Sequence, residues 1–201
     1  MESKAKYKMC RRLGVGVYEK CQTAKYTSSE MKKSKSSTKR PKQLSDYGRQ
    51  LIEKQKVRFS YGLSEKQLGN YVAKATATKG VVVTDKLFEL LETRLDNVVY
   101  RLGFANSRRF ARQMVAHGHF TVNGTKVTIP SLEVRIGDKI AVREGSKGSA
   151  MFTEFATKSK TSSWPAWLKL TPDTLSAEIS AKPKNDEQFL QFDTVLEFYS
   201  R

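Results

Sequence analysis

A helix and a β-hairpin follow one another directly in the stretch NSRRFARQMVAHGHFTVNGTKV, residues 106–127. Ser107 is placed to cap the helix, because a serine oxygen accepts a hydrogen bond from an unpaired backbone N–H at a helix start. Gly118 is a natural helix stop. Asn123-Gly124, flanked by alternating apolar residues, is the strongest short sequence signal for a hairpin. The stretch therefore predicts a small α+β unit.

The predicted helix separates its apolar from its basic side chains. On a helical wheel the apolar arc consists of Phe110, Ala111, Met114 and Val115. The opposite, basic arc consists of Arg108, Arg109, Arg112 and Gln113. No acid interrupts the basic arc, whereas a face that is merely solvated usually mixes charges of both signs. Arginine is a planar, permanently charged donor suited to phosphate. We expect the apolar arc to be buried and the basic arc to lie on the solvent side, where its removal leaves the fold intact.

A second apolar stripe precedes this helix within residues 81–102 and is spaced for one buried helix face. Arg94 and Arg101 lie at one edge of the stripe, and Asp96 lies on its far side. A strand is predicted after the hairpin, over residues 139–142. Residues 93–147 are therefore predicted to form a module of two helices packed on a short antiparallel sheet.

The flanking segments predict a mostly helical domain, residues 44–92 and 148–201, into which the module is inserted. Ser45 can cap one helix, and Ser64 with Gln67 forms a capping-box pattern for the next. Residues 189–201 look like a strand. The aromatic residues of the last quarter are expected to pack against the protein's own helices; they are Trp164, Trp167, Phe192, Phe198 and Tyr199.

The charge of the chain points to a polyanionic partner. Its 201 residues contain 37 Lys+Arg and 20 Asp+Glu, a formal net charge of +17. Nucleic acid is the first candidate and an anionic membrane surface the second, and composition does not choose between DNA and RNA. Residues 1–43 hold 13 basic and 3 acidic side chains. They are predicted to form an extended basic arm that orders on its partner, with a solubilising tail as the alternative.

Composition also argues against other classes of protein. No run of 18 apolar residues predicts a membrane span, and the N-terminus does not resemble a secretory signal. Cys10 and Cys21 are too few for a disulfide framework and indicate a reducing, cytoplasmic setting. Tetrahedral zinc needs four ligands, usually in close pairs, so neither a metal nor another cofactor is expected.

Two histidines lie where the predicted helix ends, and they admit several roles. His117 or His119 titrates near neutral pH and suits a general base. No nucleophile motif accompanies either of them. The expected role is a hydrogen bond to phosphate or to the backbone, and a capping or surface position is the alternative.

Five blocks of sequence together resemble one known family. They are CRRLG at 10–14, LSDYGRQLIEKQKVRFSYGLSEKQL at 44–68, RLDNVVYRLGFANSRRFARQMVAHGHFTVNGTKVTIPSLEVRIGDKIAVRE at 94–144, PAWLKL at 165–170 and EFYSR at 197–201. In this order they resemble the bacterial-type ribosomal protein S-four family of the small subunit. The resemblance covers nearly the whole chain.

The resemblance implies a structural constituent of the small ribosomal subunit in the cytoplasm, rather than an enzyme. Such a protein binds small-subunit rRNA at a helix junction in the 5′ domain and nucleates assembly of the subunit body. It also lines the channel through which mRNA enters, touches ribosomal protein S-five and contributes to translational accuracy. An RNA-modifying enzyme with an appended module and a stand-alone RNA chaperone are the competing hypotheses. The enzyme would need a separate catalytic domain, for which the flanking segments look too small.

The residues expected to contact RNA come from the basic arc, from positions that match the family and from the basic arm. The lysines and the arginine of the arm near residue 40 would face mRNA. They are Arg11, Arg12, Lys39, Arg40, Lys42, Tyr47, Arg49, Lys54, Lys56, Arg58, Lys66, Arg94, Arg101, Ser107, Arg108, Arg112, Gln113, His117, His119, Asn123 and Lys126.

Overall fold

Two units make up the chain, one formed by residues 1–79 with 186–201 and the other by residues 80–185. The computed structural model describes residues 6–36, 43–153, 155, 164–171, 174–185 and 189–200. We call the first unit the helical unit and the second the sheet unit. The expected module boundaries of 44–92 with 148–201 and 93–147 stay a prediction. The two units have other boundaries than this predicted module, because the strands Leu168–Thr171 and Ser176–Ile179 and the helix Val83–Glu92 belong to the sheet unit.

The predicted helical hairpin is present in the helical unit. It consists of α3 (Asp46–Ser60) and α4 (Glu65–Ala77). The Ser45 hydroxyl accepts a hydrogen bond from the Gly48 backbone N–H at the start of α3. Ser64 and Gln67 form both bonds of the predicted capping box at the start of α4. These ends follow from neighbouring residues alone, so the sequence pattern located them correctly.

The N-terminal segment is folded, so the extended arm does not hold for residues 6–36. They form α1 (Lys6–Leu13), two 3₁₀ turns (Val15–Val17 and Glu19–Cys21) and α2 (Ala24–Ser36). Cys10 and Cys21 are joined by a disulfide bond inside a small buried cluster with Tyr26. The sequence indicated a reducing setting, in which both thiols would be free, whereas the structure pairs the two cysteines. Apolar and sulfur-containing side chains spaced along a basic segment supply this small core.

The C-terminal segment is helical, and the expected strand over 189–201 is wrong. Helix α10 (Phe192–Tyr199) packs against α3 and α4. Phe192 and Val195 are buried at helical spacing, and the Phe198 ring lies 5.7 Å from the Tyr47 ring. The expectation that these aromatic residues pack on the protein's own helices is met for Phe192.

The sheet unit begins with three helices, α5 (Val83–Glu92), α6 (Leu95–Arg101) and α7 (Arg108–Ala116). The apolar stripe over residues 81–102 is thus divided between α5 and α6. The division has a tertiary cause, because backbone groups at the break bond to the segment before β3. The Leu95 N–H donates to the Leu132 carbonyl, and the Val134 N–H donates to the Thr93 carbonyl.

An antiparallel sheet completes this unit. Its strands are β1 (Phe120–Val122), β2 (Thr125–Val127), β3 (Lys139–Val142), β4 (Leu168–Thr171) and β5 (Ser176–Ile179), in the order β2-β1-β3-β5-β4. Asn123 and Gly124 both have positive φ, 50° and 81°, as the predicted two-residue hairpin turn requires. Two short helices, α8 (Glu144–Lys147) and α9 (Ala150–Thr153), follow β3. The expected mixture of helices with a small antiparallel sheet is confirmed.

The core of the sheet unit lies between α6, α7 and the sheet. Helix α7 contributes Ala111, Met114 and Val115 to it, as predicted. Phe110 is the exception, since 36% of it is exposed and it does not join the core. Trp167 is buried in the same core, against the sheet rather than only against helices.

Candidate nucleic-acid interface

Helix α7 directs its polar side chains away from the core of the sheet unit. The Ser107 hydroxyl accepts a hydrogen bond from the Phe110 backbone N–H and so sets the first turn. Arg109 and Gln113 are exposed, whereas Arg108 and Arg112 are partly covered. The predicted basic arc exists, but its members differ in their surroundings.

Two buried acids lie beneath this basic arc. Asp96 of α6 is 3% exposed and Glu92 at the end of α5 is 1% exposed. Asp96 was expected on the far side of its helix, away from the arginines. In the structure it receives hydrogen bonds from Arg94 and Arg112, because α6 and α7 pack side by side.

The Asp96 carboxylate binds two guanidinium groups. Arg94 donates through Nε to Oδ1 at 3.0 Å and through Nη2 to Oδ2 at 2.9 Å. Arg112 donates through Nε to Oδ2 at 2.8 Å, and its Nη2 lies 2.8 Å from the same oxygen. Arg94 is only 2% exposed, so its charge is neutralised inside the protein and does not contribute to the surface.

The Glu92 carboxylate holds the other two arginines. Arg101 donates to both of its oxygens at 2.8 and 2.9 Å, a fork-to-fork pair. Arg108 Nη2 lies 3.9 Å from Oε1 of Glu92, and Arg108 Nε donates to Oδ1 of Asn97 at 2.7 Å. The Arg108 guanidinium also stacks over the Tyr100 ring at 4.6 Å. Each guanidinium therefore has a defined position.

We call this set of side chains the arginine network; it consists of Glu92, Asp96 and Asn97 with Arg94, Arg101, Arg108 and Arg112. Four positive and two negative charges leave it at +2. The side chains of Arg101, Arg108 and Arg112 are 20%, 16% and 33% exposed, so solvent reaches part of each. The network presents a positive surface whose cations are held from behind.

A second group of basic side chains surrounds the end of α7 and the hairpin; we call His117, His119, Lys126 and Arg143 the hairpin cluster. The imidazole rings of His117 and His119 are 6.2 Å apart, and the Arg143 N–H donates to the His119 carbonyl. The Lys126 side chain crosses Gly118, where a Cβ would lie 2.4 Å from its Cε. Within the described residues, the side chains of Lys126 and Arg143 form no hydrogen bond or ion pair and are exposed.

His119 is the partly covered member of the hairpin cluster. Its Nδ1 lies 3.0 Å from the Ser146 hydroxyl. Burial, together with the Coulomb interaction with neighbouring His117 and Arg143, lowers the pKa of His119 below its usual value. A phosphate alongside the imidazole would act in the opposite direction and favour its protonation.

Asn123 supports the hairpin from within. Its Nδ2 donates to Oδ1 of Asp138 at 2.8 Å, and its Oδ1 accepts from the Lys139 N–H at 2.9 Å. These bonds tie the β1–β2 turn to the start of β3. The structure thus gives Asn123, like Ser107, a positioning role within the protein.

Several residues of the helical unit that were expected at the RNA surface are engaged inside the protein. Lys54 is 6% exposed, with its Nζ 2.6 Å from Oε1 of Glu65 and 4.1 Å from the centre of the Phe198 ring. Arg58 Nη1 donates to the other oxygen of Glu65 at 2.9 Å. Burial raises the pKa of Glu65, but hydrogen bonds from Lys54 and Arg58 outweigh this and lower it.

The remaining expected residues of this unit lie nearer the surface. Three of them form ion pairs: Lys56 with Glu53, Arg49 with Asp46, and Arg11 with Glu30. Within the described part of the chain, the exposed side chains of Arg12 and Lys66 have no hydrogen bond or ion pair; Tyr47 is 52% exposed. Lys39, Arg40 and Lys42 lie outside the described residues.

Sequence reasoning missed Arg143 and the acids of the arginine network. Arg143 follows strand β3 and is 24 positions from His119, so only the pairing of β1 with β3 brings the two residues together. An acid near an arginine in sequence is common, and nothing in the pattern marks Glu92 and Asp96 as buried. No group of three or more metal-binding side chains occurs in the described ranges, and none of the helices described there is long and apolar enough to cross a bilayer.

Comparison with known proteins identifies the family. Residues 2–92 match the ribosomal protein S4/S9 N-terminal domain, and residues 93–140 match the S4 domain. The small ribosomal subunit protein uS4 of Heliobacterium modesticaldum is 44% identical over 206 aligned residues, 96% of each chain. This chain belongs to the uS4 family. The uS4 protein of Dehalococcoides mccartyi is 42% identical over all of this chain and 99% of its own length, and that of Roseiflexus sp. strain RS-1 is 44% identical over 96% of each.

Family membership decides between the predicted classes of protein. The uS4 family consists of structural proteins and not of enzymes, so the expectation that the chain is not an enzyme is confirmed. All residues of the arginine network and the hairpin cluster except Glu92 and Arg143 lie within residues 93–140, which match the S4 domain. The candidate interface is therefore the surface of that domain.

Proposed function

We propose that this chain is a structural constituent of the small ribosomal subunit, in the cytoplasm, and that it binds small-subunit rRNA directly. Its relatives are named as small ribosomal subunit proteins, and they match it over nearly its full length. The binding site would be a helix junction in the 5′ domain of the rRNA, where the protein nucleates assembly of the subunit body.

The observation that carries this proposal is the positive surface of the S4 domain. The partly exposed arginine network lies beside α7, and the exposed cations Lys126 and Arg143 lie where α7 meets the sheet. Phosphates along a folded RNA are spaced several ångströms apart, and two neighbouring positive groups on rigid elements suit them better than one. Lysine and arginine contacts to phosphate give affinity without requiring a base sequence, and structured RNA is recognised largely through its shape and its phosphates.

A groove in the helical unit supports a protein partner, for which S-five is our candidate. The groove encloses about 520 Å³, and Asp46, Glu53 and Glu197 line it together with Arg49. Buried Oε1 of Gln50 has no hydrogen-bond partner among the described residues. Arg49 and Lys56 pair with Asp46 and Glu53, so Glu197 is the acid of the groove that a lysine or arginine of a neighbouring protein would meet. A contact of this kind is how the chain would contribute to translational accuracy.

The basic stretch at Lys39, Arg40 and Lys42 is the part proposed to line the channel through which mRNA enters. Its support is sequence charge and family position alone. A cationic lining would hold a single strand through its phosphates without selecting a sequence.

A salt titration tests the rRNA proposal. The affinity of the full chain for a 5′-domain rRNA fragment should fall linearly on a log–log plot against salt. Each phosphate contact contributes about 0.7–0.9 to the slope, so changing both Lys126 and Arg143 to alanine should reduce it by about 1.4–1.8. Circular dichroism should not change, because both side chains are exposed and unpaired within the described residues.

Lys169 provides the matched control. It is exposed on β4, at the opposite edge of the sheet from β2, which carries Lys126. Lys169→Ala should leave the slope nearly unchanged if binding is confined to the proposed surface. An equal change in slope per removed charge at both edges would indicate attraction of the whole basic protein to RNA. The absence of binding by the wild-type chain would reject the proposed function.

A further inference from the structure

The two buried acids of the arginine network stand on a surface that is proposed to bind a polyanion. A carboxylate close to a phosphate site repels phosphate, so simple electrostatics predicts that removing it improves RNA binding. Burial of Glu92 and Asp96, at 1% and 3% exposure, also carries a desolvation cost. Their presence therefore needs a role that outweighs both effects.

The contacts of the acids suggest that role. The Glu92 carboxylate binds Arg101 through Nε and Nη2, and the Asp96 carboxylate binds Arg112 through the same two atoms, so each acid lies at one edge of a guanidinium group. A bidentate pair fixes the orientation of a planar group, not only its distance. Asn97, 1% exposed, accepts a single hydrogen bond from the Nε of Arg108, whose guanidinium lies over the Tyr100 ring.

We propose that Glu92 and Asp96 are positioning residues for RNA binding, which hold Arg101 and Arg112 in the orientation that phosphate requires. This inference rests on the proposed function. A long arginine side chain loses most of its rotamer freedom when it is fixed on a ligand, and the loss weakens binding. The acids impose that loss when the protein folds, so the arginines meet RNA already ordered.

The arrangement also explains the exposure of Arg101, Arg108 and Arg112. Their side chains are 16–33% exposed, so each is covered where it meets Glu92, Asp96 or Asn97 and solvent reaches the rest of it. Arg94 differs from them, since it is 2% exposed and belongs wholly to the interior. Arg94 neutralises Asp96 locally and lowers the repulsion that Asp96 exerts on phosphate.

Glu92→Gln is the first test, because the arginines that it releases are partly exposed and can turn towards water. The full chain and a 5′-domain rRNA fragment are used. The expected result is an affinity about tenfold lower, although the protein has become one charge more positive. Glu144→Gln is the control: it makes the same charge change at a side chain that is 86% exposed, and it should leave affinity equal or slightly higher.

A double-mutant cycle separates positioning from a general structural role. If Glu92 acts through Arg101, the loss from Arg101→Ala and the loss from Glu92→Gln should not add when they are combined. A loss from Glu92→Gln that adds fully to the loss from Arg101→Ala would show that Glu92 acts through other contacts, and it would count against positioning of Arg101. Thermal unfolding of each variant is recorded in parallel, and affinity is measured well below the lowest transition.

Arg101→Lys keeps the test decisive if Glu92→Gln does not fold. Lysine retains the charge but has no planar fork, so it cannot form the two parallel bonds to Glu92. Affinity should again fall several-fold at constant net charge. Equal or tighter RNA binding by Glu92→Gln, or by Arg101→Lys where the first variant is unfolded, would overturn the inference. Weak binding by wild-type protein would instead reject the proposed function itself.

Discussion

Changing Arg108 and Arg112 together to alanine should weaken RNA binding and destabilise the sheet unit at the same time. Sequence alone predicts that the fold is unaffected, because both residues lie on the polar side of α7. The structure changes that expectation, since Arg108 bonds to buried Asn97 and Arg112 to buried Asp96. The double variant therefore tests whether the basic arc is attached to the protein or only solvated.

The magnitude follows from these bonds. A hydrogen bond that involves a charged group contributes about 1.5–3 kcal/mol, and partial exposure of the two side chains reduces this. Asp96 keeps its pair with Arg94, whereas Asn97 loses the partner of its Oδ1. The free energy of unfolding should fall by about 2–4 kcal/mol for the pair. Loss of two phosphate contacts should lower the log–log salt slope by about 1.4–1.8.

Two measurements check this result. Urea unfolding followed by tryptophan fluorescence reports the sheet unit, because both tryptophans, Trp164 and Trp167, belong to it. The salt titration is performed where the variant is fully folded. Arg109→Ala is the control, since Arg109 is exposed and has no partner among the described residues, and it should change the slope by at most about 0.9 without loss of stability. Unchanged stability and an unchanged slope in the double variant would refute the reasoning.

Three further predictions concern stability. Replacing Cys10 and Cys21 with serine opens a loop of sequence separation 11 and should destabilise the N-terminal helices by roughly 3 kcal/mol. Amide exchange in residues 6–36 should then become faster, and unchanged exchange would show that the disulfide does not stabilise these helices. Because the pKa of His119 is lowered in the fold, stability of the sheet unit should fall as pH drops below about 6.5, and His119→Gln should flatten this dependence; an identical pH profile would contradict it. Trp167→Ala should cost about 3–5 kcal/mol in urea unfolding, and a cost below about 0.5 would place the ring outside the core.

The sequence by itself determined the elements whose causes are local. Ser64 and Gln67 cap α4 through bonds within one helical turn, and Asn123-Gly124 closes a hairpin because these residues tolerate positive φ. The burial of Ala111, Met114 and Val115 in α7 followed from helical spacing, whereas Phe110 on the same predicted face is exposed. Each of these features depends on residues a few positions apart, so the pattern along the chain carries the information.

Only the tertiary structure decided where the charges of the candidate interface are held. Asp96 and Arg112 are 16 positions apart and meet because α6 packs beside α7. The helix near the C-terminus likewise owes its place to contact with α3, from a segment more than a hundred residues away. The direction of a long charged side chain and the burial of its partner depend on non-local packing. For that reason the sequence predicted a basic surface, but not the acids that hold its arginines in position.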